Sequence, residues 1–215
     1  MNGSAYFQKR CTLGIILMLG CMISAFAQNR PDALRAFREG DYLRSVAICQ
    51  AEIADNPNNL ESHVVISWSL IALNRLDEAR MYALASRRIS RYDTRITLSL
   101  GEISYLQGLN DEAVRHFREY INRVPEGTMM GRVYYLLGET YIRLGLFRHA
   151  DIALTTAVHW LPGNAAWWTR LAYAREGAGD LHEAVAAYER ALDLSFQYGD
   201  AQRGLERVRR TLAGR

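Results

Sequence analysis

Five histidines, three cysteines and 23 acidic side chains are the groups in this 215-residue chain that could take part in catalysis or hold a metal. Metal sites gather His, Cys and carboxylates at short fixed spacings, and nucleophilic catalysis pairs a Ser or Cys with a nearby base. Neither pattern occurs. No H-E-x-x-H, paired-cysteine or Gly-rich phosphate-loop motif is present. His63, His116, His149, His159 and His182 are scattered along the chain. His149 and His182 fall at nearly equivalent places in two successive segments, too far apart for a shared metal, and surface positions are expected for the histidines. Asp and Glu sit at ordinary helix-surface spacing. Cys49 lies alone, beyond Cys11 and Cys21 near the N-terminus, and reads as a small buried apolar residue. The residues therefore predict no enzyme, no cofactor and no metal.

The formal charge of +3 belongs largely to the first 27 residues, which hold Lys9 and Arg10 and no acid. Without them the chain carries 24 basic and 23 acidic groups, a poor balance for nucleic-acid binding. Lys9 is the sole lysine; the other basic residues are arginines, a bias attributable to codon usage. Residues 1–27 read as a secretory signal: a charged start, an apolar run from Cys11 to Ile23, and Ala25-Phe26-Ala27 as a cleavage site before Gln28. The run is short for a membrane span, which needs roughly 20 residues. The alternatives are an uncleaved anchor, or lipidation of Cys21 in a loose lipobox, Met18-Leu19-Gly20-Cys21; a membrane enters only through one of these. The expectation is export, to the periplasm in the first place.

Beyond the leader the sequence repeats. Gly40, Asn74, Gly108, Gly145 and Gly179 are separated by 34, 34, 37 and 34 residues. Five residues after each stands a small side chain: Ser45, Ala79, Ala113, Ala150, Ala184. Four further on come Cys49, Ala83, Phe117, Leu154 and Tyr188. Ile66-Ser67, Leu100-Gly101, Leu137-Gly138 and Leu171-Ala172 hold one common place upstream of the turns, and Pro57, Pro125 and Pro162 follow three of the units. The turn residue suits a left-handed backbone after a first helix. The small residue lets a second helix cross the first without being wedged away. Proline stops the second helix.

This pattern resembles the tetratricopeptide repeat, whose units run W-x2-L-G-x2-Y, then A-x3-F, then P. Tyr134-x2-Leu137-Gly138-x2-Tyr141 with Ala150-x3-Leu154 and Pro162 comes nearest; Trp168-x2-Leu171-Ala172 with Ala184-x3-Tyr188 is next. The resemblance spans about 28–197. It implies an all-α fold, an α-solenoid of about five helix hairpins (units about 28–59, 60–93, 94–130, 131–164 and 165–197) in a right-handed superhelix. Residues 198–215 would close it as a capping helix, with Leu205, Val208 and Leu212 at helical spacing. Unit one has a short first helix, roughly Pro31 to Glu39, and lacks the Leu-Gly pair. The spacing of 37 places a three-residue insertion near Thr128-Met129-Met130, and Phe196 stands where unit five would have proline.

In proteins of this kind the first helices line a concave groove that takes an extended peptide or a helix of a partner. Helical phase places Val64, Trp68 and Ile71 there, then Arg95, Leu98, Glu102 and Tyr105, then Arg132, Tyr135, Glu139 and Ile142, then Thr169, Tyr173 and Glu176, with Arg143 and Arg170 alongside. The expected activity is to bind a protein or peptide, as an adaptor of the cell envelope or as a permanent part of a larger envelope, motility or secretion complex. The alternating charges point to a mixed-charge partner. The lysine- and asparagine-based clamp that some members use on a C-terminal carboxylate is not expected, since no Lys lies beyond the leader and no Asn stands on the groove face. Two arginine patches, Arg87, Arg88, Arg91 and Arg95, and Arg203, Arg207, Arg209, Arg210 and Arg215, read as helix-end cations or as docking points for acidic partners or lipid headgroups.

Overall fold

The computed structural model describes residues 32–214; the leader, its cleavage site and Cys21 lie outside the described residues. Eleven α-helices follow one another: α1 (Ala33–Arg38), α2 (Tyr42–Asp55), α3 (Leu60–Ala72), α4 (Leu76–Ile89), α5 (Thr94–Leu106), α6 (Asn110–Arg123), α7 (Met130–Arg143), α8 (Phe147–Trp160), α9 (Ala165–Ala178), α10 (Leu181–Leu194) and α11 (Gly199–Ala213). They form five hairpins and a closing helix, and no strand occurs among the described residues. No described helix is long and apolar enough to cross a membrane.

Each hairpin is folded by the same local device. The five turn residues are the described positions with left-handed backbone: Gly40 at φ 82°, Gly108 at 74°, Gly145 at 71°, Gly179 at 87°, and Asn74 at 57°, the one non-glycine among them. In that conformation the next amide reaches back to a carbonyl five residues earlier. Asp41 N–H donates to Ala36 O at 2.9 Å, Arg75 to Leu70 at 2.9 Å, Leu109 to Ser104 at 2.8 Å, Leu146 to Tyr141 at 2.9 Å and Asp180 to Arg175 at 2.9 Å. Orphan carbonyls at each first helix's end are thus satisfied by the turn itself. Most first helices begin differently, on Asx caps: Asp32, Asn59, Asp93 and Asn164 each accept from an amide two or three residues on.

The repeat positions form the core. Ser45, Ala79, Ala113, Ala150 and Ala184 are all completely buried, as are, to within 1%, Cys49, Ala83, Phe117, Leu154 and Tyr188. Burial pushes the Cys49 thiol up to about 12, so it stays neutral. Gly101 and Gly138 are there because of what faces them: a Cβ on Gly101 would lie 2.8 Å from the Phe117 ring, and one on Gly138 would strike Leu154. The capping helix docks the same way, with Gly204 under the Tyr188 ring. A bulky residue at Ala150 or Ala184 has no room, so Ala150→Leu is expected to lower the unfolding free energy by roughly 1–3 kcal/mol. Urea unfolding followed by circular dichroism checks this, and an unchanged midpoint would contradict the helix-crossing role.

Three sequence expectations are corrected. The insertion is not simply a loop: Met130 opens α7 and is 2% exposed, part of the core with Tyr120 and Val133. His63 and His116 are buried rather than on the surface. The His63 ring is tied through Nε2 to the Pro57 carbonyl, 2.9 Å. Burial, with Arg87 and Arg115 adding to it against the opposing pull of Glu119 and Glu112, holds the His116 imidazole below its ordinary value. The folded protein therefore refuses a proton that the unfolded chain accepts below about pH 6.5. Stability carried by neutral His116 is complete above that pH and is lost as pH falls below it, by up to about 1.4 kcal/mol per pH unit. His116→Gln is expected to flatten that part of the pH–stability curve, measured by urea midpoints between neutral and mildly acidic pH.

Candidate partner-binding groove

Contacts between helices define an inside and an outside. Each first helix packs closely on the first helix of the next unit (α1 with α3, α3 with α5, α5 with α7, α7 with α9, α9 with α11), whereas the backbones of successive second helices stay apart among the described residues, α4 and α6 meeting only through the long side-chain pairs Arg80–Glu112 and Arg87–Glu119. The first helices therefore crowd the concave side.

On that side lies a cavity of about 570 Å³ between α1, α3, α5 and α7, lined by Phe37, Trp68, Ile71, Leu98, Tyr120 and Met129 with Ala72, Thr94, Arg95, Ser99, Glu102 and Arg132. It is of ordinary ligand-pocket size. Trp68 rests 5.8 Å from the Phe37 ring, and its Nε1–H donates to Ser99 Oγ at 3.1 Å. Ser99 Oγ in turn donates to the Arg95 carbonyl at 2.9 Å, so neither polar group on this wall is left open.

Six of the residues placed by helical phase meet here: Trp68, Ile71, Arg95, Leu98, Glu102 and Arg132. Val64 does not; it is 2% exposed and belongs to the core that α3 shares with the neighbouring helices α1, α2, α4 and α5. Thr169 is likewise buried. The remaining residues form a separate stretch that is largely occupied by itself. Arg143 lies 3.8 Å from the Tyr105 ring centroid and donates to that residue's carbonyl at 2.7 Å. Tyr135 stacks on Trp167 at 4.9 Å and 11°, and burial pushes its phenol up to about 12. Tyr173 meets Phe147 edge-on at 6.2 Å and Arg170 at 5.1 Å.

The groove charges are also partnered within the chain. Arg95 donates to Glu61 at 2.8 Å through each terminal nitrogen and to Asp93 at 2.7 Å. Arg132 pairs with Glu102 at 2.9 Å, Arg170 with Glu139 at 2.6 Å, and Arg207 with Glu176 at 2.6 Å. Each arginine belongs to the unit after its glutamate, so the pairs form a ladder up the concave face. These bonds hold the Arg95 and Arg207 guanidinium groups above, and the Glu61 carboxyl below, their ordinary values. Arg95, Glu102, Arg132 and Glu139, expected from the sequence to meet a mixed-charge partner, are thus each paired within the chain. The arginine patches are partly spent in the same way: Arg87 on Glu119, Arg203 on Asp200, Arg209 on Glu189.

Phase reasoning missed Phe37, Tyr120 and Met129. Phe37 precedes Gly40 by the same three residues that separate Ile71 from Asn74 and Tyr105 from Gly108, so the register extended into unit one would have found it. Tyr120 ends a second helix and Met129 lies in the lengthened connection, and no periodic signal marks either.

Residues 131–160 and 166–198, the fourth and fifth hairpins, match the family model of the tetratricopeptide repeat. These two hairpins are tetratricopeptide repeats. The three hairpins before them share the left-handed turn and the buried small residue of the matched pair. Solved structures agree on the fold. MamA 41-end from Desulfovibrio magneticus RS-1 superposes with a TM-score of 0.69 at 16% identity over 77% of this chain and 92% of its own. YrrB, described as a TPR protein with an unusual peptide-binding site, gives 0.70 at 16% identity over 78% and 84%. The APC/C hetero-tetramer Cut9-Hcn1 gives 0.70 at 17% identity over 82% of this chain and 35% of that one. No curated protein sequence matches the chain. Among the described residues no three His, Cys, Asp or Glu side chains gather as a metal site would require.

Proposed function

We propose that this repeat protein is a non-catalytic scaffold or adaptor of the bacterial cell envelope that holds a segment of a partner protein in its concave groove. The observation that carries the reading is the apolar cavity walled by Trp68, Ile71 and Leu98, set on the side where the first helices converge. A rigid stack of hairpins presents such a surface without further ordering cost, which favours binding over chemistry. The fold shared with YrrB, itself described as having a peptide-binding site, adds support. The test is affinity capture from cells after mild crosslinking, with wild-type protein beside Ile71→Ala. A partner retained by the first and lost by the second supports the adaptor; a fixed stoichiometric set indifferent to the substitution favours the second reading, a permanent subunit of a larger complex.

The envelope location rests on the leader. Residues 1–27 are proposed to be removed after Ala27, leaving Gln28 as the first residue outside the cytoplasm. Mass spectrometry of the natural protein decides between that, a lipidated Cys21 and an intact Met1.

A further inference from the structure

We infer that the segment held between α1 and α7 is an apolar stretch with a basic flank, not an acidic tail or a free C-terminal carboxylate. This rests on the groove reading above and specifies the chemistry of its occupant. The floor offers apolar side chains from Phe37, Trp68, Ile71 and Leu98. The Trp68 and Ser99 polar groups of that floor are already joined, Trp68 Nε1–H to Ser99 and Ser99 to the Arg95 carbonyl, while the Thr94 and Tyr120 hydroxyls stand elsewhere on the lining. A ligand donor or acceptor set against Trp68, Ser99 and their apolar neighbours would leave water without finding a free counterpart there, which penalises polar side chains and favours apolar ones.

The walls decide the sign of the flank. Two arginines, Arg95 and Arg132, stand at the cavity, and each is spent on carboxylates of this chain: Arg95 on Glu61 and Asp93, Arg132 on Glu102. Counting Glu61 and Asp93, which hold Arg95 from behind without themselves lining the cavity, two cations are matched by three carboxylates, and this ion-pair cluster is formally negative by one. An incoming carboxylate would have to displace a bidentate internal partner from Arg95 and would meet net repulsion while doing so. An incoming Lys or Arg breaks nothing. Glu61 is 66% exposed, so its carboxylate keeps open face toward solvent. Attraction at so exposed a group is screened, so the flank sets preference and the apolar core sets affinity.

Three synthetic peptides test this, each about a dozen residues long with the same core of leucine and phenylalanine, flanked by lysine, by serine or by glutamate. They are titrated by calorimetry into the protein purified as the cell processes it. The lysine-flanked peptide is expected to bind most tightly, the serine-flanked one within about tenfold of it, and the glutamate-flanked one at least about tenfold more weakly, with the gap narrowing at high salt. Leu98→Ala should weaken the first two about tenfold or more with helix content unchanged, and Glu61→Gln should reduce the preference for lysine. Tightest binding of the glutamate-flanked peptide, lost in Leu98→Ala, overturns the inference and leaves the groove reading standing. Absence of binding by all three, or binding indifferent to Leu98→Ala, overturns both.

Discussion

Phe117→Ala is expected to lower the unfolding free energy by about 3–5 kcal/mol, among the larger effects available to a single substitution in this protein. The side chain is fully buried, and the helix facing it carries Gly101, where even a methyl group would lie 2.8 Å from the ring. Removing the ring leaves a void that α5 and α6 close only in part, since both are held at the turn by Gly108 and the Leu109-to-Ser104 hydrogen bond. Loss should therefore include lost burial and a cavity term. Denaturant unfolding followed by circular dichroism measures it, and a change below about 1 kcal/mol would show that the interface relaxes. Gly101→Ala in the Phe117→Ala background is expected to recover part of the loss, whereas Gly101→Ala alone should destabilise. That reversal of sign is the signature of a matched pair.

Trp68→Ala is expected to weaken partner binding by about 2–4 kcal/mol, as a buried aromatic at the centre of an interface does. Trp68 stands between Phe37 and Ser99 in the middle of the cavity wall. Tyr173→Ala should change binding by no more than a few tenths of a kcal/mol, because that ring already meets Phe147 and Arg170 of its own chain. Both are compared by titration with the captured partner, after circular dichroism shows that helix content is kept. Equal losses in the two variants would extend the site along the whole array; loss in Tyr173→Ala alone would move it to the C-terminal half.

The spacing of turn residues determined the hairpins. Only a glycine or asparagine tolerates the left-handed backbone that returns the chain, so Gly40, Asn74, Gly108, Gly145 and Gly179 are visible in one dimension. The alanines five residues on were legible for a similar reason, since close crossing demands a small side chain whatever its neighbours are. Tertiary structure alone decided how the groove is used. Helical phase gives the side of a helix on which a residue lies, not what stands across from it. Val64 and Trp68 share a stripe, yet the first is sealed in the core and the second stands at the cavity. Arg95 and Glu61 are 34 residues apart in sequence and 2.8 Å apart in space. An arginine reads as a free charge until its partner from the preceding unit is in view, because pairing is fixed by the stacking of one repeat on the next, and no single repeat encodes it.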